Sequence, residues 1–167
     1  MKKIIDVFTG EIEACNNSCE LVSHAIGSCI VITAYDPIRK LGCMAHVMLP
    51  GKAPENKQDT LTRYAQNAIE ELVRIMDITP KNAHRIEICL IGGGNVLKRA
   101  DDAICHNNIF SVKKLMKNWS LFVSAESLGG TERRSVRFDV EKGEVYMTKA
   151  NSKEWLLWKS HYKEIDD

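Results

Sequence analysis

HAIGSCIVITAYDP, residues 24–37, opens onto a Gly-Ser-Cys triplet at Gly27, Ser28 and Cys29 and closes on the turn Asp36-Pro37. Between them, Ile30, Val31, Ile32, Thr33 and Tyr35 favour a β-strand, and the polarity of the run hardly alternates. A strand with one wet face alternates apolar and polar residues, whereas one covered on both faces reads as a near-continuous apolar run. After the turn, Gly42 to Leu49 returns as a second apolar strand, ended by Pro50-Gly51. The first of the two is expected to be buried on both faces.

Shorter strands flank this centre. Ile4 to Phe8 and Glu11 to Cys15 lie on either side of Thr9-Gly10, a hairpin-like turn, and Leu21 to Ile26 reads as a third strand. Downstream, Thr60 is placed to cap a helix running to about Met76, with Leu61, Tyr64, Ala65, Ala68, Ile69, Leu72, Val73 and Met76 on one apolar stripe. Ile86 to Ile91 forms a strand that runs into Gly92-Gly93-Gly94. A second helix is predicted over 108–119, with Ile109, Val112, Leu115, Met116 and Trp119 inward. Leu121 to Glu126 is a strand, and Val136 to Val140 with Glu144 to Thr148 makes a hairpin around Lys142-Gly143. Many strands and two long amphipathic helices predict an α/β sandwich, and the early hairpins argue against a purely parallel, doubly wound sheet. Residues 1–150 read as one domain and 151–167 as a tail. In that tail Trp155, Trp158, Tyr162 and Ile165 share one helical face, ready to dock on the domain or on a partner.

The gross composition excludes several functions. The 167 residues are 44% hydrophobic and 27% charged with a net charge of +1, an ordinary globular balance with no bias toward nucleic acid or an anionic membrane surface. No run approaches the ~18 consecutive apolar residues of a membrane span, and the N-terminus lacks the apolar core of a signal peptide. A cytoplasmic protein is expected, and in a reducing cytosol an even count of six cysteines does not imply disulfides. Cys15 and Cys19 are spaced C-x3-C, but no second pair at zinc spacing follows, so neither metal nor cofactor is expected.

Cys29 is open to three readings: a packing residue, a metal ligand or a nucleophile. A free cysteine is most often a small buried hydrophobe. Gly27 and the small Ser28 before it shift the balance, because backbone N–H groups at such a turn form an oxyanion site. A thiol near its ordinary pKa of ~8.5 needs a base, and His46 on the following strand is the best one. Whether the two strands bring it to Cys29 depends on a register that the sequence leaves open. Ser23 by itself reads as an ordinary strand serine, and beside that pair as the hydroxyl that could orient the imidazole. Gly93 and Gly94, in CLIGGGN (89–95), read as a turn or a substrate-lining loop, and Arg133, Arg134 and Arg137 as contacts for an acidic partner or as a solvated edge. The other five cysteines read as structural or incidental.

GSCIVITAYDP followed by GCMAHVMLP resembles the CheD family of chemotaxis receptor glutamine deamidases. TRYAQNAIEELVRIM, IEICLIGGGN, NIFSVKKLM and ESLGGTERRSVRFDVEKGEVYMTK support the resemblance, which spans roughly Ile4 to Lys149. It implies a three-layer α/β sandwich similar to the catalytic domain of cytotoxic necrotizing factor toxins. It implies Cys29 as nucleophile, His46 as base and Ser23 at a third position that is usually threonine. The implied substrates are glutamines on chemoreceptor cytoplasmic helices, with receptor methyl esters hydrolysed by some members and a CheC-type phosphatase of phosphorylated CheY as a partner. On that alternative the chain acts chiefly as a binding module. The chain departs from the usual Ile-Gly-x-Arg-Asn before the second helix, where it carries Ile104-Cys105-His106-Asn107-Asn108.

Overall fold

The computed structural model describes residues 1–162, which form two five-stranded sheets and two long helices. The first sheet has the order β1 (Lys3–Asp6), β3 (Cys19–Ile26), β8 (Arg134–Asp139), β9 (Glu144–Lys149) and β10 (Trp155–Lys159). The second has the order β2 (Ile12–Asn16), β5 (Leu41–Val47), β4 (Ile30–Asp36), β6 (Glu87–Gly92) and β7 (Val123–Leu128). Both are mixed: β1 runs parallel to β3 and β6 parallel to β7, and the other pairs are antiparallel.

Every residue of β4 is buried, as its unbroken apolar run predicts. Ile30, Ile32 and Ala34 face α1 (Ala65–Ile75) and α2 (Ala103–Asn118), in one core with Ile69, Leu72, Val112 and Met116. Val31 and Tyr35 face the first sheet, in a second core with Leu21, Val136, Phe138 and Met147. The alternation is therefore present but joins two apolar environments. Each such fully buried aliphatic side chain contributes about 1.5–3 kcal/mol. Gly42 of β5 lets the sheets approach: a Cβ there would lie 2.7 Å from the ring of Phe138 and 2.5 Å from Val140.

Five expectations change. β1 and β2 lie in different sheets and form no hairpin, because Val7 donates to Val22 of β3 while Glu11 accepts from His46 at the end of β5. The first helix starts at Ala65, not Thr60. Residues 58–63 form a 3₁₀ turn, since the Arg63 carbonyl accepts from Met48 and Leu49 and so holds the chain extended into Tyr64. The second helix begins at Ala103, ahead of Asn108, and its Trp119 is a half-exposed cap. The tail is not helical: Trp155–Lys159 pairs antiparallel with β9, and a register shift between Leu156 and Trp158 turns Leu157 and Trp158 toward the second core. The stripe's last member, Ile165, lies outside the described residues. Finally, Cys15 and Cys19 are joined in a disulfide, their Cα atoms 6.5 Å apart. Asn17, at φ 59°, turns the chain from one sheet to the other between them, and that separation is within bridging range. No helix among the described residues is long and apolar enough to cross a membrane.

Candidate active site

Ser23 projects from the first sheet and His46 from the second, both buried, and they meet in the interior. Ser23 Oγ lies 2.8 Å from the Val7 carbonyl oxygen and 2.8 Å from His46 Nδ1. A carbonyl oxygen only accepts, so the single hydroxyl proton goes to Val7. Ser23 Oγ must then accept from His46, which assigns the imidazole proton to Nδ1 and leaves the lone pair on Nε2. The Val7 carbonyl, 3.5 Å from Nδ1, agrees with that tautomer. Burial pushes the imidazole pKa below its ordinary value, against the opposing pull of the Val7 carbonyl and Glu11. The ring therefore rests neutral, as a base requires.

Cys29 sits where the chain crosses from β3 to β4. β3 carries a register shift between Ser23 and Ile26, and Ala25 within it takes φ 55°, a conformation that costs a non-glycine residue about 1–3 kcal/mol. The next three carbonyls are all held. Gly27 accepts from the Gly94 N–H at 2.9 Å, Ser28 from Asn108 Nδ2 at 2.9 Å, and Cys29 from the Gly93 N–H at 2.8 Å. Asn108 also donates to the Met48 carbonyl at 3.0 Å, tying the Cys29 segment to the end of β5. Among the described residues, no carbonyl accepts from the N–H groups of Gly27 and Ser28. Gly92 makes this crossing possible: at φ 129°, a Cβ would stand 2.0 Å from the Cys29 carbonyl oxygen.

The register that the sequence left open pairs Val31 with His46. Cys29, two residues before Val31, packs with it toward the first sheet. Cys29 is thus the diagonal neighbour of His46, a relation that puts backbones about 7–8 Å apart and side chains closer. The half-buried thiol lines a cleft of about 530 Å³ with Gly27, Ser28, Gly94, Cys105 and Arg133. His46 lines a smaller hollow of about 220 Å³ with Val7, Thr9 and Val22. Ala25 borders both. Burial raises the thiol pKa, and its own backbone N–H pulls it back.

Residues 48–149 match the family model described as CheD chemotactic sensory transduction. Over 154 residues the chain is 37% identical to a probable chemoreceptor glutamine deamidase CheD of Chlorobium luteolum, covering 92% of this chain and 77% of that one. It is 33% identical over 156 residues to the chemoreceptor glutamine deamidase CheD of Thermotoga maritima, covering 93% and 97%. The chain belongs to the CheD family. Further CheD relatives, from Clostridium botulinum, are 31% identical over 151 residues.

Within this CheD fold the predicted residues separate into three groups. Ser23 and His46 are bonded, and Gly27, Ser28, Cys29 and Gly94 line one cleft. Gly93 is buried, and a Cβ on it would strike Ile109 at 2.6 Å, so it holds Cys29 from behind and does not line the cleft. Arg134 corrects the expectation of a partner contact. It is 2% exposed and its guanidinium is spent on Ser127 Oγ and the carbonyls of Gly129 and Glu132, bracing the glycine turn. Arg137 pairs with Glu20 and Glu154 over the Tyr146 ring, and Arg133 alone of the three lines the cleft. Asn108 was missed. Its signal is a polar residue one turn before Val112 on the inward stripe of α2.

Proposed function

We propose that this chain deamidates glutamine side chains on the cytoplasmic helices of a chemoreceptor, with Cys29 as nucleophile and His46 as base. The observation that carries the reading is the Ser23–His46 hydrogen bond, which frees Nε2 on the strand diagonal to Cys29. Nε2 takes the thiol proton, and Sγ attacks the amide carbon. N–H groups of Gly27 and Ser28 receive the oxyanion. His46 returns the proton to the departing nitrogen, ammonia leaves, and a thioester remains. Water, deprotonated by His46, then hydrolyses the thioester to glutamate and restores the thiol. The names of the relatives support glutamine and chemoreceptor as the substrate. A negative charge added to a packed receptor helix alters its pairing with neighbouring helices, and this is the regulatory output. Such an enzyme works in the cytoplasm, and a CheC-type phosphatase offering a receptor-like helix would compete for the same cleft.

The test is mass spectrometry of a receptor cytoplasmic fragment incubated with wild-type protein and with Cys29→Ala. Each event adds about one dalton, as OH replaces NH2. Wild type should add it at mapped glutamines, and Cys29→Ala should be at least ~10³-fold slower. Equal rates would refute the assignment.

A further inference from the structure

A second thiol faces the cleft. Cys105 lies in the first turn of α2 and lines the same cavity as Cys29. The helix is fixed there: Asn108 bonds the Ser28 carbonyl, and Ile109 packs against Gly93, which in turn donates to Cys29. Residues three and four apart share a helix face, so Cys105 stands one turn before two residues that hold the Cys29 segment. Side chains on a helix lean toward its N-terminus. The remaining free thiols are placed otherwise. Cys43 and Cys89 are 0% and 1% exposed and sit in the two cores, where burial pushes both up to about 12.

We infer that Cys29 and Cys105 together form an oxidative modification site, in which a hydroperoxide closes the cleft with a disulfide and a dithiol reopens it. The Cys29 thiolate attacks the peroxide, the O–O bond breaks, one oxygen stays as Cys29–SOH and the other leaves after protonation, as water from hydrogen peroxide or as an alcohol from an organic hydroperoxide. Cys105 Sγ then attacks the Cys29 sulfur. The S–O bond breaks, the S–S bond forms, and the hydroxide leaves as water with the Cys105 proton. The thiol pair loses two electrons and the peroxide gains them. The second thiol matters because a sulfenic acid without a resolving partner proceeds to sulfinic acid, which dithiols do not reverse. Burial raises both thiols above their ordinary value, which lowers the thiolate fraction that reacts. The bridge itself rests on the shared cavity. Its effect on turnover rests on the reading of Cys29 as nucleophile.

The experiment treats the full chain with millimolar hydrogen peroxide, blocks free thiols and maps a non-reducing digest. The expected product in wild type is a peptide pair linking Cys29 to Cys105, lost on adding dithiothreitol. In Cys105→Ser, Cys29 should instead accumulate at least ~10-fold more sulfinic acid, unrecovered by dithiothreitol. Wild-type Cys29 that oxidises without the link, links to another cysteine, or does not react would overturn the inference. The wild-type digest decides alone if the variant fails to fold. Deamidation measured on the same samples separates the two readings. A linked cleft with undiminished turnover would overturn Cys29 as nucleophile and leave the modification, whereas no link with normal turnover would do the reverse.

Discussion

Ser23→Ala removes one oxygen from the interior and tests how the base is held. Without it the His46 Nδ1–H has only the Val7 carbonyl, at 3.5 Å, the outer limit of a useful hydrogen bond. Ser23 is 1% exposed and the space of one deleted oxygen is too small for a water, so none replaces the lost acceptor. A buried donor left unpaired costs about 1–3 kcal/mol. The ring regains the freedom to turn and to carry its proton on Nε2, which removes the base. With about 1.4 kcal/mol per tenfold in rate, the variant should lose roughly 10- to 100-fold in kcat with KM little changed. Its denaturant midpoint should fall by an amount equivalent to about 1–2 kcal/mol. Ser23→Thr keeps the hydroxyl, and its added methyl restricts χ1, so it should recover kcat to within about threefold of wild type. The assay is initial-rate mass spectrometry on a receptor fragment. A folded Ser23→Ala with kcat within about twofold of wild type would refute the orienting role.

Other outcomes follow from the same geometry. Because burial depresses the His46 pKa, the imidazole stays neutral as pH falls past its ordinary ~6.5, and the acid limb of kcat/KM should lie below that value. The unfolded chain takes up this proton first, so the contribution of His46 to stability is complete above ~6.5 and is lost as pH falls through the lower folded value, as pH-dependent chemical denaturation would register. Asp36 is fully buried at the end of β4. Burial raises its pKa, but hydrogen bonds from Arg85 and then Arg39 outweigh it and hold the carboxyl below the ordinary range. Asp36→Asn should cost about 2–3 kcal/mol in urea denaturation, at the lower end for a broken buried pair because both arginines reach solvent. Gly92→Ala drives a methyl into the Cys29 carbonyl and should cost about 3 kcal/mol or more, with deamidation falling further than stability accounts for.

The sandwich is legible where one short segment carries its own signal. β4 and β5 need only a continuous apolar run and an Asp-Pro turn, and the inward stripe of α1 needs only its period. The misreadings occur where a distant partner decides. Thr60 has the chemistry of a helix cap, yet the end of β5 holds Arg63 and Tyr64 extended and delays the helix to Ala65. Trp155 and Trp158 have helical spacing, but a bulged strand on the open edge of β9 also turns Trp158 inward. Cys15 and Cys19 stand out as a C-x3-C pair, but their bond depends on the chain turning between two sheets. The site divides in the same way. Cys29 and His46 stand out as candidates from neighbourhood, and Ser23 joins them only through the family resemblance, whereas the register of β4 on β5 and the facing of β3 across the core are long-range facts. Arg134 shows the converse error: a charged residue in a basic run is the innermost brace of a turn.

The hydrogen bond between Ser23 and His46 spans the two sheets, and neither sheet alone contains it. A slip of one residue along a strand moves a side chain by about 3.3 Å and turns it to the opposite face. Under the proposed mechanism, turnover is therefore a gauge of how the layers are seated on one another. A folding intermediate with either sheet complete but the other undocked would be spectroscopically rich in β-structure and chemically silent.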